Sequence, residues 1–121
     1  MTKRKERTRG ASEKPLHERD CVGCEGGAKK LQSEEIAAFG WQVEGWDVVK
    51  SHHLRREWKF EDFAQALAFV NAVGALAERQ GHHPDLFLKW GLVRAEIYTH
   101  AVDGLTEDDF ILAAKIDRVA P

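Results

Sequence analysis

A chain of 121 residues, 43% of them hydrophobic, is long enough for one domain with a modest core. Its 18 Lys/Arg and 20 Asp/Glu leave a formal net charge of −2, so overall charge does not point to nucleic acid. No apolar run approaches the roughly 18 residues of a membrane-crossing helix, and no apolar core follows the charged first ten residues, which predicts a cytoplasmic protein.

The charge is unevenly placed. Residues 1–30 hold nine Lys/Arg against five Asp/Glu, leaving nine basic and fifteen acidic side chains in 31–121. With no hydrophobic periodicity, glycine at 10, 23, 26 and 27, and Pro15, residues 1–30 read as a basic flexible leader and 31–121 as the folded domain. Such an arm suits RNA, a membrane surface or an acidic partner, but a solvated leader is the simpler reading, and removal of residues 1–20 is then expected to leave activity intact. The only two cysteines, Cys21 and Cys24, have the spacing of half a zinc site or a redox pair. No second Cys pair completes a four-ligand set, although His17 lies upstream, so reduced structural thiols remain the plainer expectation.

Order is expected from Leu31. Ser33 before Glu34-Glu35 reads as a helix N-cap with acids in the first turn, and Gly40 as its stop. Trp41 to Lys50 is extended in character, and Leu54 to Phe60 alternates Leu54, Trp58 and Phe60 against Arg55, Glu57 and Lys59. Together they predict a hairpin. Glu61 to Gln80 is the strongest helix, with Phe63, Leu67, Val70, Gly74 and Ala77 as its apolar stripe, widened by Ala66, Val73 and Leu76. Gly81 suits the left-handed residue that ends it, and Pro84 favours an extended His83.

A second hairpin, Leu86 to Trp90 and Leu92 to His100, turns near Gly91, with Val93, Ala95, Ile97 and Thr99 on one face. Thr106 to Asp109 resembles a capping box that opens a last apolar helix. The order α-β-β-α-β-β-α predicts an α+β fold, a four-stranded antiparallel sheet with three helices on one face. An open edge strand would favour a dimer.

Within this frame one run carries chemistry: Glu78-x3-His82-His83-Pro84-x5-Trp90-x9-His100-x8-Asp109. If the long helix crosses the sheet, its C-terminal end meets the end of the last strand, and His82, His83 and His100 share a pocket. Three histidines can hold a catalytic zinc, but adjacent histidines in an extended segment point apart and make poor joint ligands. They can equally be structural, and Asp109 can be the second half of the cap with Thr106. The third reading is acid–base catalysis without metal, for which imidazoles near neutral pKa are suited. His52 and His53 read as a solvated turn, and Trp41, Trp46 and Trp58 as packing.

The full spaced run resembles the pterin-4a-carbinolamine dehydratases, also known as the dimerisation-cofactor family. The likeness extends over residues 31–120, through Gly40-Trp41, Phe60-x2-Phe63 and Asp109-Phe110-Ile111-Leu112-Ala113-Ala114-Lys115, and Cys21-x2-Cys24-Glu-Gly-Gly is similar to a leader of bacterial members. The resemblance implies dehydration of a 4a-hydroxytetrahydropterin to quinonoid dihydropterin, with the pterin as substrate and no metal or other cofactor. It implies that His82 and His100 are the acid–base groups, that His83 orients the pterin, and that Asp109 supports His100. Glu78, Gly81, Pro84, Trp90, Tyr98 and Thr99 would hold or line the substrate. It further implies a homodimer or dimer of dimers, and a protein partner such as an aromatic amino-acid hydroxylase. A non-enzymatic role, as a Rubisco-assembly factor or a transcriptional dimerisation cofactor, is the alternative within the same family.

Overall fold

The computed structural model describes residues 14–22 and 28–121; most of the basic arm, and Cys24, lie outside the described residues. Three helices pack against a four-stranded antiparallel sheet, in the order the sequence predicts. Helix α1 spans Ser33–Gly40, strands β1 and β2 span Asp47–Val49 and His53–Lys59, and α2 spans Phe63–Gln80. Strands β3 (Asp85–Lys89) and β4 (Leu92–Ile97) follow, then a single 3₁₀ turn at His100–Val102 and helix α3 (Glu107–Val119). The strand order is β1-β2-β4-β3, with Leu54 opposite Ile97 and Asp85 opposite Glu96.

Alternation fixes the sheet's faces. Leu54 and Trp58 of β2 and Val93, Ala95 and Ile97 of β4 are buried beneath the helices. The opposite face carries a charged mesh, in which Arg94 donates to Glu57 at 2.8 Å and Arg55 donates to the same carboxylate at 3.3 Å. Helix α3 is the centre of the core, since Phe110, Leu112, Ala113 and Ile116 are all fully buried. Phe110 stacks on Phe39 of α1 at 5.4 Å, while Trp58 meets Trp46 and Phe69 edge-on at 5.5 and 4.7 Å.

The helix ends follow local chemistry with small shifts from the sequence reading. Gln32, not Ser33, caps α1, exchanging bonds with Glu35 in a capping box, and Gly40 is the last helical residue rather than the one beyond. Asp62 caps α2 by accepting from the Gln65 amide at 2.8 Å, so the helix begins two residues later than Glu61. Gly81 stops α2 at φ +66, and Gly91 turns the second hairpin at φ +77. Both are left-handed positions where glycine carries no Cβ penalty.

Two expectations are corrected. Trp41 to Trp46 is a pair of turns, and the first strand is only three residues long. The inward stripe of α2 is Ala66, Phe69, Val73, Leu76 and Ala77, whereas Phe63 and Leu67 lie outside at 43% and 40% exposure. Ahead of the expected start of order, Leu16 is 2% exposed and belongs to the core, so residues 14–22 lie against the domain.

Because Phe110 is fully buried and stacks on Phe39 of α1, Phe110→Ala should cost about 3–5 kcal/mol of unfolding free energy, measured by urea denaturation. A loss under about 1 kcal/mol would mean that α3 is not the centre of the core.

Candidate active site

The end of α2, the start of β3, the end of β4 and the first turn of α3 meet at one corner of the molecule. Gly81 turns the chain out of α2, which places His82 inside and His83 outside. His82 is 4% exposed and Asp109 is fully buried, and the His82 Nε2 lies 2.6 Å from Asp109 Oδ1. The second oxygen of Asp109 accepts from the Thr99 hydroxyl at 2.9 Å and from the Thr106 amide at 2.8 Å. Thr99 and Thr106 also bond to each other, hydroxyl to hydroxyl, at 2.9 Å. The capping box predicted for Thr106 and Asp109 is present, and the same carboxylate reaches His82.

Burial opposes charge on the His82 ring, but the hydrogen bond and charge of Asp109, with Asp108 behind it, raise its pKa above the usual histidine value. Asp109 therefore favours the protonated form of the His82 ring. His83 is different. Its Nε2 meets Glu78 at 2.6 Å, but both side chains are well exposed, and such a surface pair holds a ring loosely.

A cleft of about 210 Å³ opens at this corner, lined by Gly81, His82, His83, Pro84, Asp85, Tyr98 and His100. Six of these seven are residues singled out in the sequence; Asp85 is not. Tyr98 stacks on His100 at 4.3 Å between centroids, and on its other side meets His52 at 4.6 Å. His52 in turn lies 2.8 Å from Asp103, whose carboxyl this contact holds below its usual value. The ring stack thus reaches from the cleft to the β1–β2 turn, where His52 was expected to be merely solvated. The signal for its placement is register, because Leu54 pairs with Ile97 and the antiparallel ladder brings the residues just before Leu54 towards Tyr98.

The remaining singled-out residues fall outside the cleft wall. Thr99 is 1% exposed and supports Asp109 from behind. Asp109 meets His82 and not His100, which corrects the expected pairing. Glu78 reaches the site only through His83. Trp90 sits 69% exposed at the turn beyond the far end of β3, a full strand from the histidines. Among the described residues no group of three or more His, Cys, Asp or Glu side chains is placed to hold a metal.

Cys21 lies close by, its thiol donating to the Asp108 carbonyl at 3.5 Å. Burial, with the charge of Asp108, pushes its pKa up to about 12, so Cys21 is a thiol and not a reactive thiolate near neutral pH.

The chain matches the family model described as pterin 4 alpha carbinolamine dehydratase over residues 29–119. A Rubrobacter xylanophilus protein named for pterin-4-alpha-carbinolamine dehydratase is 51% identical over 86% of this chain and 97% of its own length. A similarly named Alkaliphilus metalliredigens protein is 47% identical over 85% of this chain and 94% of its own. Among solved structures, a transcriptional coactivator/pterin dehydratase from Brucella melitensis superposes with a TM-score of 0.72 at 30% identity, over 77% of this chain and all of that one.

Replacing Asp109 tests the electrostatics directly. Protonation of His82 is favoured in the folded state, so its stabilisation is complete below the unfolded imidazole pKa of about 6.5 and is lost as pH rises through the higher folded value. Urea denaturation across pH 5–9 should therefore show a decline in stability with rising pH that Asp109→Asn removes. An identical slope in the variant would show that Asp109 does not set the His82 proton.

Proposed function

This chain belongs to the pterin-4a-carbinolamine dehydratase family, whose members are hydro-lyases, and we propose that it removes water from a 4a-hydroxytetrahydropterin by histidine acid–base catalysis. The observation that carries the reading is the buried His82–Asp109 pair, 2.6 Å apart, at the wall of a cleft shared with His83 and His100.

The reaction makes two demands. The hydroxyl on C4a leaves as water only if it receives a proton, and a ring N–H must lose one to complete the quinonoid product. His82 is suited to the first, because its Nε2 is occupied by Asp109, which leaves Nδ1 as the nitrogen to face a bound molecule. The upward shift of its pKa, from the hydrogen bond and charge of Asp109, favours the protonated ring, the form that can donate. His100, which lines the same cleft, is suited to take the N–H proton. One proton is delivered and one removed, so the pair of imidazoles is left with the same total after each turnover.

His83 and Pro84 form the outer lip, where His83 would orient the pterin with Glu78 holding its ring. Gly81 leaves room at the lip, and Tyr98, whose ring is already packed between His100 and His52, would border the heterocycle by its edge. Thr99 serves through Asp109. Trp90 would join the site only by way of a second copy of the chain, since it is remote within this one.

Self-association has two surfaces to use. Strand β3 is a sheet edge with Phe87 45% exposed, and α2 presents Phe63 and Leu67 outward. A homodimer or dimer of dimers built on them would cover these side chains. Among the described residues no helix is long and apolar enough to cross a membrane, and a cytoplasmic location beside a pterin-using enzyme such as an aromatic amino-acid hydroxylase fits the reading. The non-enzymatic alternative, assembly factor or dimerisation cofactor, draws on the double description of the Brucella protein as coactivator and dehydratase. The intact histidine set favours the enzyme.

Purified protein should accelerate carbinolamine dehydration equally with and without a chelator, and His82→Ala and His100→Ala should each lower kcat by about 10²-fold or more. Turnover indistinguishable from the spontaneous reaction would remove the enzyme reading and favour the interaction role. Light scattering should give a mass of at least two chains, and Leu67→Glu should reduce it; a monomer in the unaltered protein would dismiss both surfaces.

A further inference from the structure

Two successive amides of the leader grip the two helix ends that carry the buried pair. The Cys21 amide donates to Gln80 Oε1 at 2.9 Å, and the Val22 amide donates to Asp108 Oδ1 at 3.0 Å. Gln80 is the last residue of α2, two before His82; Asp108 lies in the first turn of α3, one before Asp109. The grip is anchored upstream. Leu16 is buried in the core, Arg19 pairs with Glu107 at 2.9 Å, and Lys115 of α3 donates to the His17 carbonyl at 2.9 Å.

We propose that residues 14–22 are a positioning strap for the reaction: they tie the end of α2 to the start of α3 and thereby hold His82 against Asp109. The physical reason lies in the shortness of the lever. Gly81 alone separates Gln80 from His82, and Asp108 is adjacent to Asp109, so little backbone can absorb a shift. A positioned acid loses effectiveness steeply with displacement, by about 10²-fold for 1 Å in sensitive cases. The strap also fixes Asp108, whose charge contributes to holding the proton on His82. The pair it adjoins is closed to water, His82 at 4% and Asp109 at 0% exposure. A leader that served only to carry charge would not need a core leucine or bonds to both helix ends. The functional unit therefore begins at or before residue 14 and not at 31, and removal of the leader is expected to impair the enzyme.

The proposal rests on the reading of His82 as the reacting imidazole, so its test uses one measurement that needs no substrate. In the full chain, the His82 Nε2 proton shared with Asp109 should be visible by ¹⁵N–¹H NMR as a slowly exchanging imidazole resonance. Leu16→Asp, which cannot bury its side chain, and Gln80→Ala, which removes the grip on α2, should broaden that resonance through exchange with water. Both should lower kcat for carbinolamine dehydration by about tenfold with KM changed by less than about twofold, while Leu16→Met retains both properties. Folded variants, checked by circular dichroism, with the resonance protected and kcat unchanged would overturn the strap. Should Leu16→Asp fail to fold, Gln80→Ala decides alone by the same two measurements. Should the unaltered chain show no turnover, the function reading fails while the His82 resonance still decides the strap.

Discussion

The corner of this fold depends on one buried carboxylate. Asp109 has no exposure to water, so its charge would be prohibitive without partners, and the loss of any one would leave the rest uncompensated. It has partners from three directions: the His82 ring, the Thr99 hydroxyl at the end of β4, and the Thr106 amide at the start of α3. Helix start, strand end and histidine loop are therefore fixed relative to one another by a single group. A helix cap and a catalytic support look like rival explanations when only the spacing Thr106-x2-Asp109 is known. A carboxylate has two oxygens. Here Oδ2 serves the cap and Oδ1 the histidine, and each role limits the motion available to the other.

The same constraint divides the histidine doublet. Neighbouring side chains in an extended segment project to opposite sides, so only one of His82 and His83 can reach Asp109. His82 turns inward to a buried anion, where low dielectric makes the interaction strong; His83 turns outward to Glu78, where water weakens it. Two identical residues in sequence thus acquire different chemistry from burial alone. This division also accounts for the absence of a three-histidine ligand set among the described residues. One ring is committed to a carboxylate, and another stacks on Tyr98.

Much of the architecture was legible because it rests on local rules. The period-two alternation of Val93, Ala95, Ile97 and Thr99 marks a half-buried strand, and all four are buried. Gly81 and Gly91 sit at the left-handed positions their surroundings require. The inward face of α2 was not legible in the same way. On a helix rich in alanine, valine and leucine, apolar residues occupy most of the circumference, and two overlapping stripes fit the pattern. Which one turns inward depends on what the sheet offers: Trp58 and Phe60 receive Phe69, leaving Phe63 and Leu67 outside. The shift of Asp109 from His100 to His82 has a similar cause, because sequence spacing places residues on elements but does not say which rings face the same space.

The leader shows the limit most sharply. A helix or strand announces itself by repetition, whereas an irregular segment can dock through one apolar side chain and a few backbone donors, none of which leaves a periodic trace. Leu16 stands alone among Lys14, Pro15, His17 and Glu18, and the donors to Gln80 and Asp108 are main-chain amides that any residue but proline would supply. Composition correctly reports that such a segment cannot build a core of its own. It does not report whether a core built by others has a place for it. That place exists along α3, where Leu16 joins the core, Lys115 donates to the His17 carbonyl and the Val22 amide donates to Asp108. Docking of the leader on α3 and its bonds to the residues beside the buried pair are, at this corner, parts of the same contact.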